Sequence, residues 1–203
     1  MPVDRWNAVL VLGGIRSGKS AFAESLVADV PSVRYVATSA GGADDQEWLD
    51  RIEAHQRRRP QSWSTEEAAG DPGRLAVVLS EAKPDDTLLV DDLGGWVTTL
   101  LDPAHQPNDD LATVAALADA VRACAGRLVL VSPEVGLSLV PATPVGRAFA
   151  DALGTVNQAL ADACDRVALV VAGQATWLKE DEPAGAPRDL GVVVGAMPEE
   201  SGI

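Results

Sequence analysis

The stretch from Val9 to Phe22, VLVLGGIRSGKSAF, constrains the fold more than any other part of the chain. Aliphatic residues lead into two glycines and then into Gly-Lys-Ser, ahead of a segment typical of a helix. Gly13 and Gly18–Ser20 complete the phosphate-loop pattern in the strand–loop–helix context that the pattern requires. The sequence therefore predicts a loop that holds the phosphates of a nucleoside triphosphate.

The residue types of this loop indicate a division of labour. The glycines let backbone N–H groups wrap around phosphates at the start of a helix. Lys19 is predicted to reach the outer phosphates, and the Ser20 hydroxyl to complete a Mg²⁺ shell. A second acid is expected at the end of a neighbouring strand, where "LLVDD" supplies Asp91 and Asp92. Asp91 is the first choice, and the alternative is an ordinary strand-end acid or a helix cap.

Short aliphatic runs alternate with longer helical patterns along the chain, as in a parallel sheet covered on both faces. The predicted strands are Ala8–Leu12, Val33–Thr38, Thr87–Val90, Leu128–Val131 and Val167–Val171. The predicted helices are Lys19–Ala28, Asp45–Arg58, Gly73–Ala82, Asp109–Ala125 and Val145–Ala163. Residues 192–194 could add an edge strand. The fold class is therefore predicted to be α/β.

Length and composition limit the number of domains. The 203 residues, 47% of them hydrophobic, suit a single globular domain, placed at residues 1–179. Residues 180–203 begin with an acidic, Pro- and Gly-rich stretch and are predicted to form a tail. Cys124 and Cys164 are predicted to lie inside amphipathic helices as core thiols, without metal-ligand or redox spacing.

Charge and hydropathy exclude several classes of partner. A net charge of −14 opposes binding to a nucleic-acid backbone, despite the local cluster of Arg57, Arg58 and Arg59. No stretch reaches the roughly 18 apolar residues of a membrane span, and the first residues lack the basic region of an export signal. A cytoplasmic protein is expected.

A second informative stretch is "RIEAHQRRRPQSW", residues 51–63. On a helix, Trp48, Ile52 and His55 share one face, so His55 lies where an apolar stripe meets the arginine cluster. One interpretation is a half-buried structural histidine beside a solvated helix end. The other is a nucleophilic or acid/base imidazole among guanidinium groups that orient phosphate.

Several motifs in chain order resemble one known family. They are the phosphate loop, Tyr35–Ser39, Arg51-Ile52 with His55 and Arg59-Pro60, and Trp63 with Thr65 and Glu67. Later stretches with the same order and spacing are 128–141, 146–151 and 156–173. From about residue 8 to 179, the sequence resembles the bifunctional adenosylcobinamide kinase/adenosylcobinamide-phosphate guanylyltransferases of cobalamin biosynthesis.

The resemblance implies a P-loop NTPase fold of the RecA-like type, a three-layer sandwich with a mostly parallel central sheet. It implies phosphorylation of the aminopropanol hydroxyl of adenosylcobinamide by GTP or ATP, then transfer of GMP from GTP to the resulting phosphate. The products would be adenosylcobinamide-GDP and pyrophosphate. The resemblance also implies a homo-oligomer, expected to be a trimer, that uses Mg²⁺.

The resemblance assigns roles residue by residue. His55 matches the histidine that carries GMP, and Lys19 is the other catalytic residue. Ser20 and Asp91 are the metal-binding candidates. The nucleotide-binding candidates are Gly13, Gly14, Ile15, Arg16, Ser17, Gly18, Lys19, Ser20, Ala37, Thr38, Ser39, Gln56, Arg57, Arg58, Arg59, Glu67 and Asp91. Glu134 is a further candidate for metal or substrate contact, with a structural strand-end acid as its alternative.

Two other functions stay open at this point. A small-molecule kinase would transfer phosphate in one step and leave His55 a structural role. A nucleotide-binding regulatory module would bind GTP or ATP without turnover. A phosphate loop by itself does not distinguish them, because many different enzymes use it.

Overall fold

A computed structural model of the chain describes residues 6–39, 60–105 and 110–180. The strands in these ranges are β1 (Ala8–Gly13), β2 (Arg34–Ala37), β3 (Ser64–Glu67), β4 (Thr87–Asp91), β5 (Arg127–Pro133), β6 (Arg166–Val171) and β7 (Gln174–Lys179). The helices there are α1 (Lys19–Ser25), α2 (Arg74–Ser80), α3 (Leu93–Leu100), α4 (Asp110–Ala123) and α5 (Pro144–Ala163), with a 3₁₀ turn at Pro103–His105.

These strands form one sheet in the order β3-β2-β4-β5-β1-β6-β7. Neighbouring strands are parallel from β3 to β6, and only β7 runs antiparallel, joined to β6 by a tight turn. β1 therefore has two parallel neighbours, β5 and β6. Because parallel strands end at a common edge, the carboxyl ends of β1 to β6 point to the same side of the molecule.

Alternate residues of the central strands enter two separate cores. Leu10, Leu12 and their neighbours on β4 and β5 pack against α2, α3, α4 and α5 on one face. Val9 and Val11 pack on the other face, against α1. Since side chains of a strand alternate between faces, the continuous aliphatic runs fit a sheet buried on both sides. The result is the predicted layered α/β architecture.

The predicted α/β class is confirmed, and all five predicted strands are present with small shifts at their ends. Helix α1 is shorter than predicted, since it ends at Ser25 and residues 26–28 form turns. Two strands and one helix of the described residues were not predicted, β3, β7 and α3, and neither was the 3₁₀ turn at Pro103–His105. The predicted helix Asp45–Arg58, the edge strand at 192–194 and the tail beyond residue 180 lie outside the described residues.

The prediction that both cysteines lie inside helices is wrong. Cys124 follows the last residue of α4, and Cys164 has an extended backbone after α5. Gly126, which lies between α4 and β5, approaches the Asp86 carbonyl too closely for a side chain. A Cβ added to Gly126 would lie 2.7 Å from the Asp86 carbonyl oxygen. Burial raises the pKa of Cys164 to about 12, which fits an inert core thiol.

Candidate nucleotide-binding site

Most of the predicted site residues lie along the carboxyl edge of the sheet. In the register of the strands, Glu67 is paired with Ala37 and Ala37 with Asp91, while Gly13 is paired with Pro133 on β5. Three strand spacings separate β2 from β1, about 14 Å at ~4.8 Å each. The edge therefore offers a surface of nucleotide length, with the phosphate loop near one end.

The backbone of the phosphate loop requires glycine at two positions, 13 and 18. A Cβ on Gly13 would lie 2.7 Å from the Val170 carbonyl oxygen of β6. Gly18 has φ +96°, and a Cβ there would lie 3.2 Å from the Cα of Gly173. The Gly173 amide, in the turn between β6 and β7, donates to the Ser17 carbonyl at 2.8 Å. The loop is thus held in place by the neighbouring hairpin, and glycine is required at position 13 by space and at position 18 by conformation and space.

Helix α1 begins directly after this loop. Gly18 supplies no side-chain cap, and the first turn carries no acidic residue, an arrangement suited to an approaching anion. Lys19 and Ser20 are half-buried, whereas Ile15 and Arg16 are exposed at the tip of the loop. The Lys19 charge acts at the same edge of the sheet, where it favours a lower pKa of Asp92. Burial and the Asp91 charge outweigh this effect, so the pKa of Asp92 is raised overall.

Ser20 and Asp91 meet across the sheet edge. The Ser20 hydroxyl donates to Asp91 Oδ1 at 3.3 Å, although the residues are 71 positions apart in sequence. The Tyr35 hydroxyl donates to the other carboxylate oxygen, Asp91 Oδ2, at 3.2 Å. A carboxylate and a hydroxyl are the hard oxygen ligands that Mg²⁺ prefers. Sequence reasoning quoted Tyr35 only as part of a motif and missed its contact with Asp91, because this contact depends on the pairing of β2 with β4.

Asp92 has a different environment from Asp91. Its carboxylate accepts from the Gly95 amide at 3.1 Å and so caps helix α3. Burial, and then the neighbouring Asp91 charge, raise the pKa of Asp92 above its ordinary value. Asp91 therefore faces Ser20, and the helix cap that was the alternative for Asp91 is instead supplied by its neighbour Asp92.

The segment that follows β2 packs against Asp92 and the first turn of helix α3. The buried Thr38 hydroxyl donates to the Asp92 carbonyl oxygen. Ser39 lies against Gly95, where any side chain in place of the glycine would collide with it. Ala37 is half-buried at the end of β2, and Glu67 is exposed at the end of β3. These four residues line the part of the edge away from the phosphate loop.

Glu134 lies beside the phosphate loop. Its amide donates to the Gly13 carbonyl at 3.0 Å, and its carboxylate accepts from the Gly136 amide at 2.6 Å. The buried Asn157 side chain, which sequence reasoning quoted only as part of a motif, donates to the Pro133 carbonyl at 3.0 Å. Asn157 in turn accepts from Ser132 at 2.6 Å. This buried network fixes the chain where it leaves β5 next to the loop.

The remaining predicted residues, His55, Gln56, Arg57, Arg58 and Arg59, lie outside the described residues. Among residues 6–39, 60–105 and 110–180, no group of three or more His, Cys, Asp or Glu side chains could hold a metal ion. Magnesium at a phosphate loop needs no such cage, because it is commonly held by one or two protein oxygens together with substrate phosphates. No helix in the same described ranges is long and apolar enough to cross a membrane.

A strand, phosphate loop and helix on a mostly parallel sheet, with an acid facing the loop serine, define a P-loop nucleotide-binding protein. Two solved structures agree at the level of the fold. An ATPase of a bacterial type III secretion system matches with a TM-score of 0.50 and 9% identity, over 80% of this chain and 50% of that one. A Pyrococcus horikoshii protein matches with a TM-score of 0.50 and 8% identity, over 87% of both chains.

Sequence comparison narrows the class to one family. The model of the cobinamide kinase / cobinamide phosphate guanyltransferase family matches residues 9–178, and the chain belongs to this family. The bifunctional adenosylcobalamin biosynthesis protein CobP of Pseudomonas aeruginosa is 42% identical over 84% of this chain and 96% of its own length. The corresponding protein CobU of Salmonella typhimurium is 38% identical over 84% of this chain and 99% of its own. The resemblance found in the sequence motifs is thereby confirmed.

Proposed function

We propose that this chain phosphorylates adenosylcobinamide and then guanylylates the product, using one nucleotide-binding edge for both reactions. The observation that carries the proposal is the Ser20–Asp91 pair at an intact phosphate loop, in a chain that belongs to the cobinamide kinase / guanyltransferase family. A phosphate loop reads phosphate rather than base, so it suits a donor used in two different ways. Adenosylcobinamide and its phosphate are the corresponding acceptors.

The first reaction is a phosphoryl transfer. The hydroxyl oxygen of the aminopropanol arm attacks the γ-phosphorus, the bond from that phosphorus to the β,γ-bridging oxygen breaks, and a nucleoside diphosphate leaves. The hydroxyl proton is released to solvent. Lys19 and the backbone amides of Gly13–Ser20 stabilise the charge spread over the transferred group. The donor is GTP or ATP.

The second reaction proceeds through His55. Its neutral imidazole attacks the α-phosphorus of GTP, pyrophosphate leaves, and a phosphorus–nitrogen bond forms. A phosphate oxygen of adenosylcobinamide phosphate then attacks the same phosphorus and displaces the imidazole. Two displacements retain the configuration at phosphorus. Arg57, Arg58 and Arg59 offer guanidinium groups for the phosphates, and Gln56 completes this nucleotide-contacting stretch.

Magnesium fits the residues that the site presents. Ser20 Oγ and Asp91 Oδ1, 3.3 Å apart, are two oxygen ligands of the kind this ion takes beside phosphates. A bound Mg²⁺ would neutralise phosphate charge in both reactions. Ala37, Thr38, Ser39 and Glu67 contact the remainder of the nucleotide along the edge. The active form is a homo-oligomer, a trimer by family resemblance, located in the cytoplasm.

The test uses GTP that carries radioactive phosphorus at the α position. Purified protein is incubated with this GTP and Mg²⁺, denatured, and examined for retained label and for its stability in acid and base. His55→Ala is the test variant, and His105→Ala is a matched control because the chain has two histidines. Acid-labile, base-stable label that only His55→Ala abolishes supports the proposal. Absence of label in folded, GTP-binding wild type contradicts the guanylyltransferase step and favours a one-step kinase or a binding module.

A further inference from the structure

An exposed aliphatic segment lies next to the phosphate loop. We use this name for residues 135–145, VGLSLVPATPV, which join β5 to the first turn of α5. Leu137, Leu139, Val140 and Val145 are 79%, 94%, 80% and 79% exposed. The segment contains no charged residue, in a chain whose net charge is −14. Among the described residues, four of the nine exposed large hydrophobic side chains are on this one stretch.

The segment is held in a defined shape although its side chains face solvent. Val135 packs against the main core, and the Ser138 hydroxyl donates to the Val135 carbonyl at 2.7 Å. The Arg147 guanidinium donates to the carbonyls of Pro141 and Ala142 at 3.0 and 2.9 Å. The aliphatic side chains are therefore presented outward by an internally bonded turn. Such clusters of exposed apolar side chains mark binding surfaces.

The position of the segment indicates what binds it. Its first residue follows Glu134, whose amide bonds to the Gly13 carbonyl at the start of the phosphate loop. The exposed Ile15 of that loop, at 84%, adds another aliphatic side chain at the same edge of the sheet. The acceptor hydroxyl of cobinamide is on a short arm of a large macrocycle. When the hydroxyl reaches the phosphates, the macrocycle must therefore lie within one arm's length of the loop.

We propose that the aliphatic segment binds the corrin ring of cobinamide during both transfers. This inference rests on the proposed function. The rim of a corrin ring carries methyl groups and neutral amides, which complement uncharged aliphatic side chains better than the acidic surface elsewhere. A stable interface between two protein chains buries about 800 Å² on each partner. A single short turn suits a small molecule better than such an interface.

The test compares wild type with Leu139→Ser/Val140→Ser, which alters two highly exposed side chains. Leu111→Ser is the matched control, since Leu111 is 72% exposed at the start of α4. Binding of cobinamide is measured by equilibrium dialysis with a non-hydrolysable GTP analogue, and KM for cobinamide is measured in the kinase reaction. We expect the dissociation constant and the KM for cobinamide to rise about tenfold or more in the double variant, and not in Leu111→Ser. Affinity for the GTP analogue and kcat are expected to change by less than about twofold.

The outcomes separate the two proposals. Unchanged cobinamide binding in the double variant overturns the aliphatic segment as the ring site, whether or not wild type turns cobinamide over. If wild type phosphorylates cobinamide and the double variant has the same dissociation constant and KM, the proposed function still holds. If wild type neither binds nor phosphorylates cobinamide, both proposals are wrong. A change of sedimentation coefficient that accompanies the weaker binding assigns the segment to an interface between copies of the chain and overturns the inference.

Discussion

Replacing Tyr35 by phenylalanine removes one hydroxyl from the site and leaves the buried ring in place. That hydroxyl donates to Asp91 Oδ2 at 3.2 Å, while Ser20 donates to Oδ1 at 3.3 Å. A hydrogen bond to a charged group contributes about 1.5–3 kcal/mol. Asp91 is half-buried, so water can replace part of the lost bond. We therefore expect the lower end of this range, close to a tenfold weaker apparent affinity for Mg²⁺ at ~1.4 kcal/mol per factor of ten.

The assay is a Mg²⁺ titration followed by the fluorescence of a bound GTP analogue, with binding of Mn²⁺ measured by electron paramagnetic resonance as a second readout. Thr87→Val is the matched control, because Thr87 is a buried hydroxyl residue at the opposite end of β4 from Asp91. Only Tyr35→Phe is expected to shift the titration midpoint. A wild-type midpoint in Tyr35→Phe, or an equal shift in Thr87→Val, would refute an orienting role for the Tyr35 hydroxyl.

Three further predictions concern the phosphate loop, the Asp92 cap of helix α3 and the buried thiol of Cys164. Gly18→Ala places a side chain at φ +96° and is expected to lose about 1–2 kcal/mol of unfolding free energy. Gly14→Ala is expected to stay within about 0.5 kcal/mol of wild type, because the space around Gly14 is open. Equal losses for the two variants in denaturant titrations would contradict this. Burial raises the pKa of Asp92, so the folded state holds this proton more tightly than the unfolded state and stability from Asp92 falls as pH rises from about 4. Asp92→Asn keeps the cap but has no carboxylate to ionise, so its unfolding free energy is expected to increase relative to wild type as the pH rises above about 4. A difference in unfolding free energy that does not change with pH would count against a buried charge. Cys164, with its pKa at about 12, should resist thiol reagents at neutral pH until the protein unfolds, and rapid labelling of the native protein would be the opposite result.

The elements that could be predicted are those with a strong hydrophobic signal. β1, β4 and β5 are continuous aliphatic runs, and their burial on both faces matches that pattern. β3 has the sequence STEE and lies at the edge of the sheet, so no core face marks it. β7 is largely exposed at the other edge. Helix α3 begins Leu-Gly-Gly and is short, and two early glycines are more typical of a turn.

The sequence likewise predicts only part of the candidate site. The phosphate loop was predictable because its spacing is local, and Asp91 because it ends a buried strand. The contacts that orient Asp91 were not, since Tyr35 is 56 positions away and meets it only through the pairing of β2 with β4. Likewise, the bond from Gly173 to the phosphate loop depends on β6 lying beside β1. Such long-range contacts follow from topology and leave no pattern in the sequence near either residue.

The most direct measurement of the central claim is product analysis with wild-type protein, adenosylcobinamide, Mg²⁺ and GTP, with corrinoids separated by chromatography and identified by mass spectrometry. The account predicts a phosphorylated corrinoid first, accompanied by GDP, and then adenosylcobinamide-GDP with release of pyrophosphate. Phosphorylated corrinoid that accumulates without guanylylation would contradict the second reaction. GTP hydrolysed to GDP with the corrinoid unchanged would contradict the whole account.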